Sequence, residues 1–238
     1  MFFFIHFSTF AKISLFTDFL LFNKRTVPIL KDLEAVISPL ENPNEMGFEL
    51  KAAAKRMAES QLYQRMSIEA YEREFTPYVL VRALAAFQRT LIGGTSKYDQ
   101  YLLNGEKKEL LSVSEYRGMQ LFMSEKTNCS SCHSGVLLTN FEFENNGLYE
   151  NYEDVGRAGV SLKQADKSKF RVQSLRNVEL TAPYMFDGSL KNLEEVITHY
   201  NNGGKNHDQK NPLIRPLHLT KQEQQDLIDF LKILTDKD

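Results

Sequence analysis

The sequence predicts an all-α fold. Apolar residues recur at helical spacing in several stretches, capping signals precede many of these stretches, and strand signals are scarce. The chain has 238 residues, which is enough for one large domain or two small ones. We therefore expect helices joined by long loops.

Three helices are expected in the first part of the chain. Apolar residues follow a helical period from Leu50 onward, and a second helix is expected from about Leu62 to Tyr71. Thr76 is a candidate N-cap and Pro77 suits the first helical position. We expect this third helix to end at Gly93-Gly94.

Three further helices open on capping signals, in which Glu stands three residues after a Ser, Asn or Thr. The N-cap residues are Ser112, Asn192 and Thr220, and the first of these helices is expected to run to about Met123. The stretch from Val136 to Ala165 is rich in Asn, Gly and Asp and is expected to be loop.

Both cysteines of the chain lie in the run Cys129-Ser130-Ser131-Cys132-His133. The pattern Cys-x-x-Cys-His is typical of c-type haem attachment. Two thiols three positions apart can each add to a vinyl group of one porphyrin, and the imidazole of His133 can then bind the iron as the proximal ligand.

Other interpretations of this motif account for less. A structural zinc site needs four ligands, and the sequence holds no second cysteine pair. A thioredoxin-type redox pair requires a βαβ context, and a disulfide does not account for His133. A helix, the motif, a long loop and a closing helix together predict a cytochrome c domain over residues 107–238, with one covalent haem c per chain.

Charge and compartment limit the partners. The net charge of −2 gives no broad basic face, so no nucleic-acid partner is expected. Attachment of c-type haem takes place on the oxidising side of the membrane, so we expect a periplasmic protein. Residues 1–30 are expected to form an apolar leader, with Thr9-Phe10-Ala11 as a weak cleavage site and no basic residue before the apolar run.

The distal ligand of the iron decides whether a haem transfers electrons or performs chemistry. Met185 is the only methionine after the motif and is the first candidate. Tyr200 and His199 lie on the next helix and could also reach the haem. Spacing alone does not separate the three.

Several runs of sequence resemble one known family. They are Pro39–Gly47, Arg82–Leu91, and Leu175–Met185 continuing into Asp187–Leu190. In this order they are similar to the bacterial di-haem cytochrome c peroxidases and the related methylamine-utilisation maturation enzymes. The resemblance covers about residues 33–235.

The resemblance implies roles for residues around the haem. Cys129, Cys132 and Arg176 would bind the cofactor, and His133 would be the proximal ligand. Tyr200 falls where the family has an axial Met or Tyr, so the resemblance ranks Tyr200 above Met185 and both above His199.

Further roles follow from the same resemblance. Glu45 matches the catalytic carboxylate above the peroxidatic haem, where it would move a proton. The backbone carbonyl groups of Thr181 and Pro183 match the positions of a calcium ion between the haems. The family's first Cys-x-x-Cys-His motif has no counterpart here, so residues 31–106 are expected to be a helical remnant of the first haem domain.

The resemblance implies a peroxidase-type oxidoreductase that reduces hydrogen peroxide to water. Its electrons would come from a small cytochrome or a cupredoxin. Two alternatives stay open, a single-haem electron-transfer module and a truncated remnant without peroxidase activity. Apolar stripes left without their original partners would favour a homodimer.

Overall fold

The computed structural model of the chain describes residues 36–43, 45–91 and 93–237. The expected leader over residues 1–30 lies outside them. The chain divides into two compact units between residues 92 and 93. Among the described residues, no helix combines the length and the apolar character that a membrane crossing requires.

In the part of the first unit that the structure describes, three helices follow a short helical stretch at residues 36–41. The helices are α1 (Leu50–Ala58), α2 (Gln61–Tyr71) and α3 (Pro77–Gln88). Their packing buries Ala54, Phe75, Val79 and Leu80.

The three predicted helices are confirmed, but α3 ends earlier than expected. Thr90 lies beyond its last turn, and its hydroxyl donates to the carbonyl oxygen of Phe87 at 2.7 Å. This bond and the backbone bond from Thr90 N to the same oxygen close the helix before Gly93. Thr76 is the N-cap residue by its extended backbone, although its side chain caps no N–H group.

Over residues 93–237, the second unit has six α-helices and one pair of short antiparallel strands. The helices are α4 (Lys97–Leu103), α5 (Val113–Phe122), α6 (Cys129–Cys132), α7 (Ala158–Ser161), α8 (Leu193–Asn201) and α9 (Lys221–Lys232), and the strands are β1 (Phe143–Glu144) and β2 (Phe170–Arg171). Single 3-10 turns lie at Lys108–Leu110, Gln164–Asp166 and Val178–Leu180. The all-α prediction is confirmed.

The capping signals formed as expected. Ser112 with Glu115 and Thr220 with Glu223 make reciprocal capping boxes, and Asn192 accepts from the N–H group of the residue three positions on. The stretch expected to be loop also holds β1 and α7. Local composition did not reveal β1 because its partner strand lies far along the chain.

The second unit begins at residue 93, whereas the sequence predicts that the cytochrome c domain begins at residue 107. The helix α4 opens on a capping box between Ser96 and Asp99, and Tyr98 and Tyr101 lie in the core of the second unit. This helix therefore packs with the residues that follow it.

The core of the second unit centres on the crossing of α5 and α9. Phe122 and Phe230 pack with ring centroids 5.1 Å apart. At Gly118 the helices are so close that a Cβ atom would lie 1.8 Å from the carbonyl oxygen of Asp226. Only glycine permits this approach.

Candidate haem site

The helix α6 is a single turn that carries both cysteines. Asn128 precedes it with a left-handed backbone (φ +54°), which asparagine tolerates better than most residues. The N–H group of His133 closes the turn by donating to the carbonyl oxygen of Cys129 at 2.9 Å. Both thiols are free, so no disulfide links them.

His133 is oriented by a backbone carbonyl group. Its Nδ1 atom lies 3.1 Å from the carbonyl oxygen of Leu138, which can only accept, so Nδ1 carries the proton. Burial lowers the pKa of the imidazole, which favours its neutral form. The lone pair of a neutral ring protonated at Nδ1 is on Nε2, the form that binds a metal.

The segment over residues 136–139, which follows the motif, is tied by side chains to residues 172–176. Ser174 Oγ donates to the carbonyl oxygen of Leu137 at 2.6 Å, and Thr139 Oγ1 donates to that of Val172 at 2.6 Å. Leu138 lies between these two contacts and is itself buried. The carbonyl group that orients His133 is therefore held by the fold.

The three distal-ligand candidates lie together around Asn146. Its side-chain Nδ2 is 3.3 Å from Tyr200 Oη and 3.2 Å from Met185 Sδ. His199 Nε2 bonds the backbone oxygen of Asn146 at 3.0 Å, which occupies that ring nitrogen. All three candidates are therefore engaged by Asn146, and their ranking stays a prediction.

The Tyr200 phenol lies near both cysteine thiols, which affect its pKa. Burial raises the pKa of the Tyr200 phenol most, and the nearby Cys129 and Cys132 raise it further. Burial also raises the pKa of both thiols. Cys129 and Tyr200 also pack against the same hydrophobic core, and the partly buried region around the phenol and the cysteine turn is called the chamber below.

The donor set of this chamber fits haem and does not fit a bare metal ion. Within residues 36–43, 45–91 and 93–237, no group of three or more His, Cys, Asp or Glu side chains could hold a metal ion. Haem iron has four porphyrin nitrogens and needs only axial ligands. His133, with Tyr200 or Met185, supplies donors of the required types, and the two free thiols supply the attachment points.

Arg176 lies beside this chamber and is held by three hydrogen bonds. Its Nη1 and Nη2 atoms donate to the carboxylate of Asp99 at 2.9 and 2.8 Å, and its Nε donates to the carbonyl oxygen of Val136 at 2.6 Å. Two of its five N–H groups are left for another acceptor. Its expected role in cofactor binding stays a prediction.

Thr181 and Pro183 lie in an exposed turn before the short bridge between Tyr184 and Leu190. Glu45 lies in the first unit, in an exposed loop, where its Oε1 accepts from Asn42 Nδ2 at 3.2 Å. The calcium and catalytic roles expected for these three residues stay predictions.

Asn146 and Asp99 were not singled out by sequence reasoning. Asn146 is one asparagine among many in its stretch, and no local signal marks it. Asp99 did carry a signal, because Ser96-x-x-Asp99 has the spacing of a capping box.

Comparisons with known proteins identify a family for the chain. The sequence pattern of the family described as Di-haem cytochrome c peroxidase matches residues 14–108. The chain is 35% identical over 186 residues to cytochrome-c peroxidase IdrP1 of Pseudomonas sp. (strain SCT), covering 65% of this chain and 48% of that protein. It is 29% identical to methylamine utilization protein MauG of Methylophilus methylotrophus, covering 84% of this chain and 60% of that protein.

Solved structures give the same result. A MauG-like protein associated with microbial copper homeostasis superposes with a TM-score of 0.77 and 33% identity, covering 86% of this chain and 69% of that one. The diheme peroxidase BthA from Burkholderia thailandensis E264, at 21% identity and a TM-score of 0.62, supports the fold alone. The chain spans 48% and 60% of the length of the two curated relatives above.

Fold and chamber define a c-type haem protein with helical architecture. The chain belongs to the di-haem cytochrome c peroxidase and MauG family, and haem c is the cofactor that this family implies. The predicted family is thus confirmed. The family match begins at residue 14, not near residue 33, so it includes residues assigned above to a leader. No motif marks residues 14–30, which is why motif matching missed them.

Proposed function

We propose that this chain takes part in the reduction of hydrogen peroxide to water and that the haem at Cys129 and Cys132 is its electron-accepting haem. The proposal is supported by the nearness of the Tyr200 phenol to both thiols and by the imidazole of His133, which the Leu138 carbonyl group orients. An iron with a protein ligand on each face suits electron transfer, because peroxide needs an open position. Relatives named cytochrome-c peroxidase support the reaction class.

The reaction needs two electrons and two protons for each peroxide that becomes two waters. We assign the electrons to a small cytochrome or a cupredoxin and the location to the periplasm, where c-type haem is attached. In this proposal Glu45 holds and moves a proton between the peroxide oxygens. Its exposed position in the loop is compatible with access by a small solute.

The proposal includes a calcium ion at Thr181 and Pro183. Within the described part of the chain, neither carbonyl oxygen is the acceptor of a hydrogen bond given by the structure. Oxygen atoms of this kind are the ligands that Ca²⁺ prefers. Calcium should therefore raise the melting temperature of chelator-treated protein, whereas an equal effect of magnesium would contradict a selective calcium site.

A homodimer is a further part of the proposal. Leu62, Met66 and Ile68 on α2 are 52%, 54% and 57% exposed. Apolar surface of this kind favours association. Sedimentation of the Met66→Glu variant beside the native chain tests it, with a smaller particle as the expected result.

A second candidate is a single-haem electron-transfer module. It is favoured by the presence of two cysteines, and hence one attachment motif, in the whole sequence. Haem content per chain and peroxide turnover with a reduced small cytochrome distinguish the two. The first candidate predicts consumption of peroxide and, because the haem at Cys129 and Cys132 would have no open position, it also predicts a second haem iron where peroxide reacts. One haem without peroxide consumption would leave the electron-transfer module, and colourless protein from a haem-attaching host would defeat both.

A further inference from the structure

One residue contacts every candidate for the distal position. Asn146 Nδ2 reaches Met185 Sδ at 3.2 Å and Tyr200 Oη at 3.3 Å, and its backbone oxygen bonds His199 Nε2 at 3.0 Å. The side-chain amide has two N–H donors, so one amide can serve the sulfur and the phenol oxygen at once. Asn146 therefore lies between two atoms that compete for the same iron position.

The fold holds Asn146 in place independently of these ligands. Its Oδ1 atom accepts from the N–H group of Leu148 at 3.2 Å, which orients the amide with Nδ2 on the opposite side. The preceding Asn145 is fully buried, and its carbonyl oxygen accepts from Asn211 N at 2.9 Å. Asn145 Nδ2 also donates to the carbonyl oxygen of Ser168 at 2.9 Å. The amide of Asn146 is thus positioned by the backbone around it.

We infer that Asn146 is a positioning residue that makes Tyr200, and not Met185, the distal ligand. The inference rests on the proposed electron-accepting haem. An N–H group stabilises a phenolate oxygen by a charge-assisted bond, whereas a thioether sulfur is a weak acceptor. The same amide holds the sulfur of Met185, which must leave that contact before it can approach the iron. A hydrogen bond to a charged acceptor is stronger than one to a neutral acceptor. From this difference in strength, Asn146 should raise the ratio of Tyr200-bound to Met185-bound haem about tenfold.

The Asn146→Asp variant of the haem-loaded chain tests this inference. It keeps the Oδ1 acceptor of the Leu148 turn but removes the N–H donor. We expect its visible spectrum to shift toward that of a His/Met haem and its reduction potential to rise, because Met as a ligand raises the potential. Adding Met185→Leu should abolish the shift, and Asn146→Gln, which keeps a donor, should retain the native spectrum.

A matched control is Asn140→Asp. Asn140 Oδ1 accepts from Glu142 N at 3.0 Å, in a turn of the same kind that involves neither ligand. This variant should leave spectrum and potential unchanged. A shift as large as that of Asn146→Asp would contradict a specific role for Asn146.

Haem content is measured first, by the pyridine haemochrome spectrum of each protein. A native chain without haem would defeat the proposed function itself. A native chain with haem, together with an Asn146→Asp variant of identical spectrum and potential, would overturn only the inference about Asn146. If Asn146→Asp takes up no haem, Asn146→Leu, which has similar size and no charge, carries the same prediction and the same overturning result.

Discussion

Arg176 and Asp99 form a two-point ion pair across 77 residues of sequence, with N–O distances of 2.9 and 2.8 Å. Their side chains are only 11% and 10% exposed. Burial raises the pKa of the Asp99 carboxyl, but hydrogen bonds from Arg176 and Ser96 bring it below its usual value. The pair joins α4 to the segment over residues 136–139, because Arg176 also bonds Val136.

Removing one partner of this pair should be costly. Asp99→Asn leaves the buried guanidinium of Arg176 without its counter-charge, and we expect a loss of about 3–5 kcal/mol in the free energy of unfolding. Urea denaturation measures it. Glu115→Gln is the matched control, because the partner of Glu115, Lys97, is more exposed than Arg176. This variant should lose about 1 kcal/mol or less in the free energy of unfolding. Equal losses would show that burial of the Arg176 pair contributes little.

The crossing of α5 and α9 should not accept a side chain at Gly118. A methyl group there would overlap the backbone of Asp226, so Gly118→Ala should lower the free energy of unfolding by about 3 kcal/mol or more. A Cβ atom at Gly159 in α7 would contact only Val155 Cγ2, at 3.4 Å. Gly159→Ala should therefore change the free energy of unfolding by less than about 1 kcal/mol. Thermal unfolding of both variants checks this, and a mild effect at Gly118 would mean that the helices can separate.

Stability in acid should depend on Asp226. Its hydrogen bonds with Arg117 lower the pKa of the carboxyl from 3.8 to about 2. The pKa of Asp226 is lower in the folded chain than in the unfolded chain. The ionised carboxyl therefore contributes its full stabilisation above pH 3.8 and loses it as the pH falls toward about 2. Arg117 is 46% exposed, so we expect about 1–2 kcal/mol after screening.

Asp226→Asn should therefore unfold more easily at neutral pH and lose less stability than the native chain between pH 4 and 2. Urea midpoints across this range measure the difference. Asp208→Asn, at an exposed position, is the control and should follow the native curve. A native-like slope in Asp226→Asn would place the acid sensitivity elsewhere.

The distal ligand can be identified by two single substitutions. If Tyr200 binds the iron, Tyr200→Phe should alter the visible spectrum and raise the reduction potential, because an anionic oxygen ligand favours oxidised iron. Met185→Leu should leave both nearly unchanged. Redox titration followed by absorbance measures both quantities, and the opposite result would identify Met185 as the ligand.

Local signals predicted the helices well. The capping boxes at Ser112 and Thr220 are patterns of a few adjacent residues, and both formed as expected. The haem motif forms one helical turn over Cys129–Cys132, and haem attachment at these cysteines stays a prediction. The end of α3 was predicted too late, at Gly93-Gly94. A hydrogen bond from the Thr90 side chain closes the helix before these glycines.

Contacts between residues far apart in the chain could not be predicted from local sequence patterns. Asn146 meets Tyr200 across 54 residues and Met185 across 39, and these pairings depend on how the loop returns past α8. The pairing of Asp99 with Arg176 is similarly distant. The sequence named the candidates for the distal ligand, whereas the residue that connects them became visible only in three dimensions.

The contact between His133 Nδ1 and the Leu138 carbonyl has a consequence for maturation. This hydrogen bond fixes the orientation of the His133 imidazole without any metal. The imidazole therefore loses little rotational entropy when it coordinates a metal. A zinc porphyrin in place of the iron porphyrin should bind the same imidazole in the same orientation. The folded chain thus presents an imidazole whose orientation is fixed before a porphyrin binds.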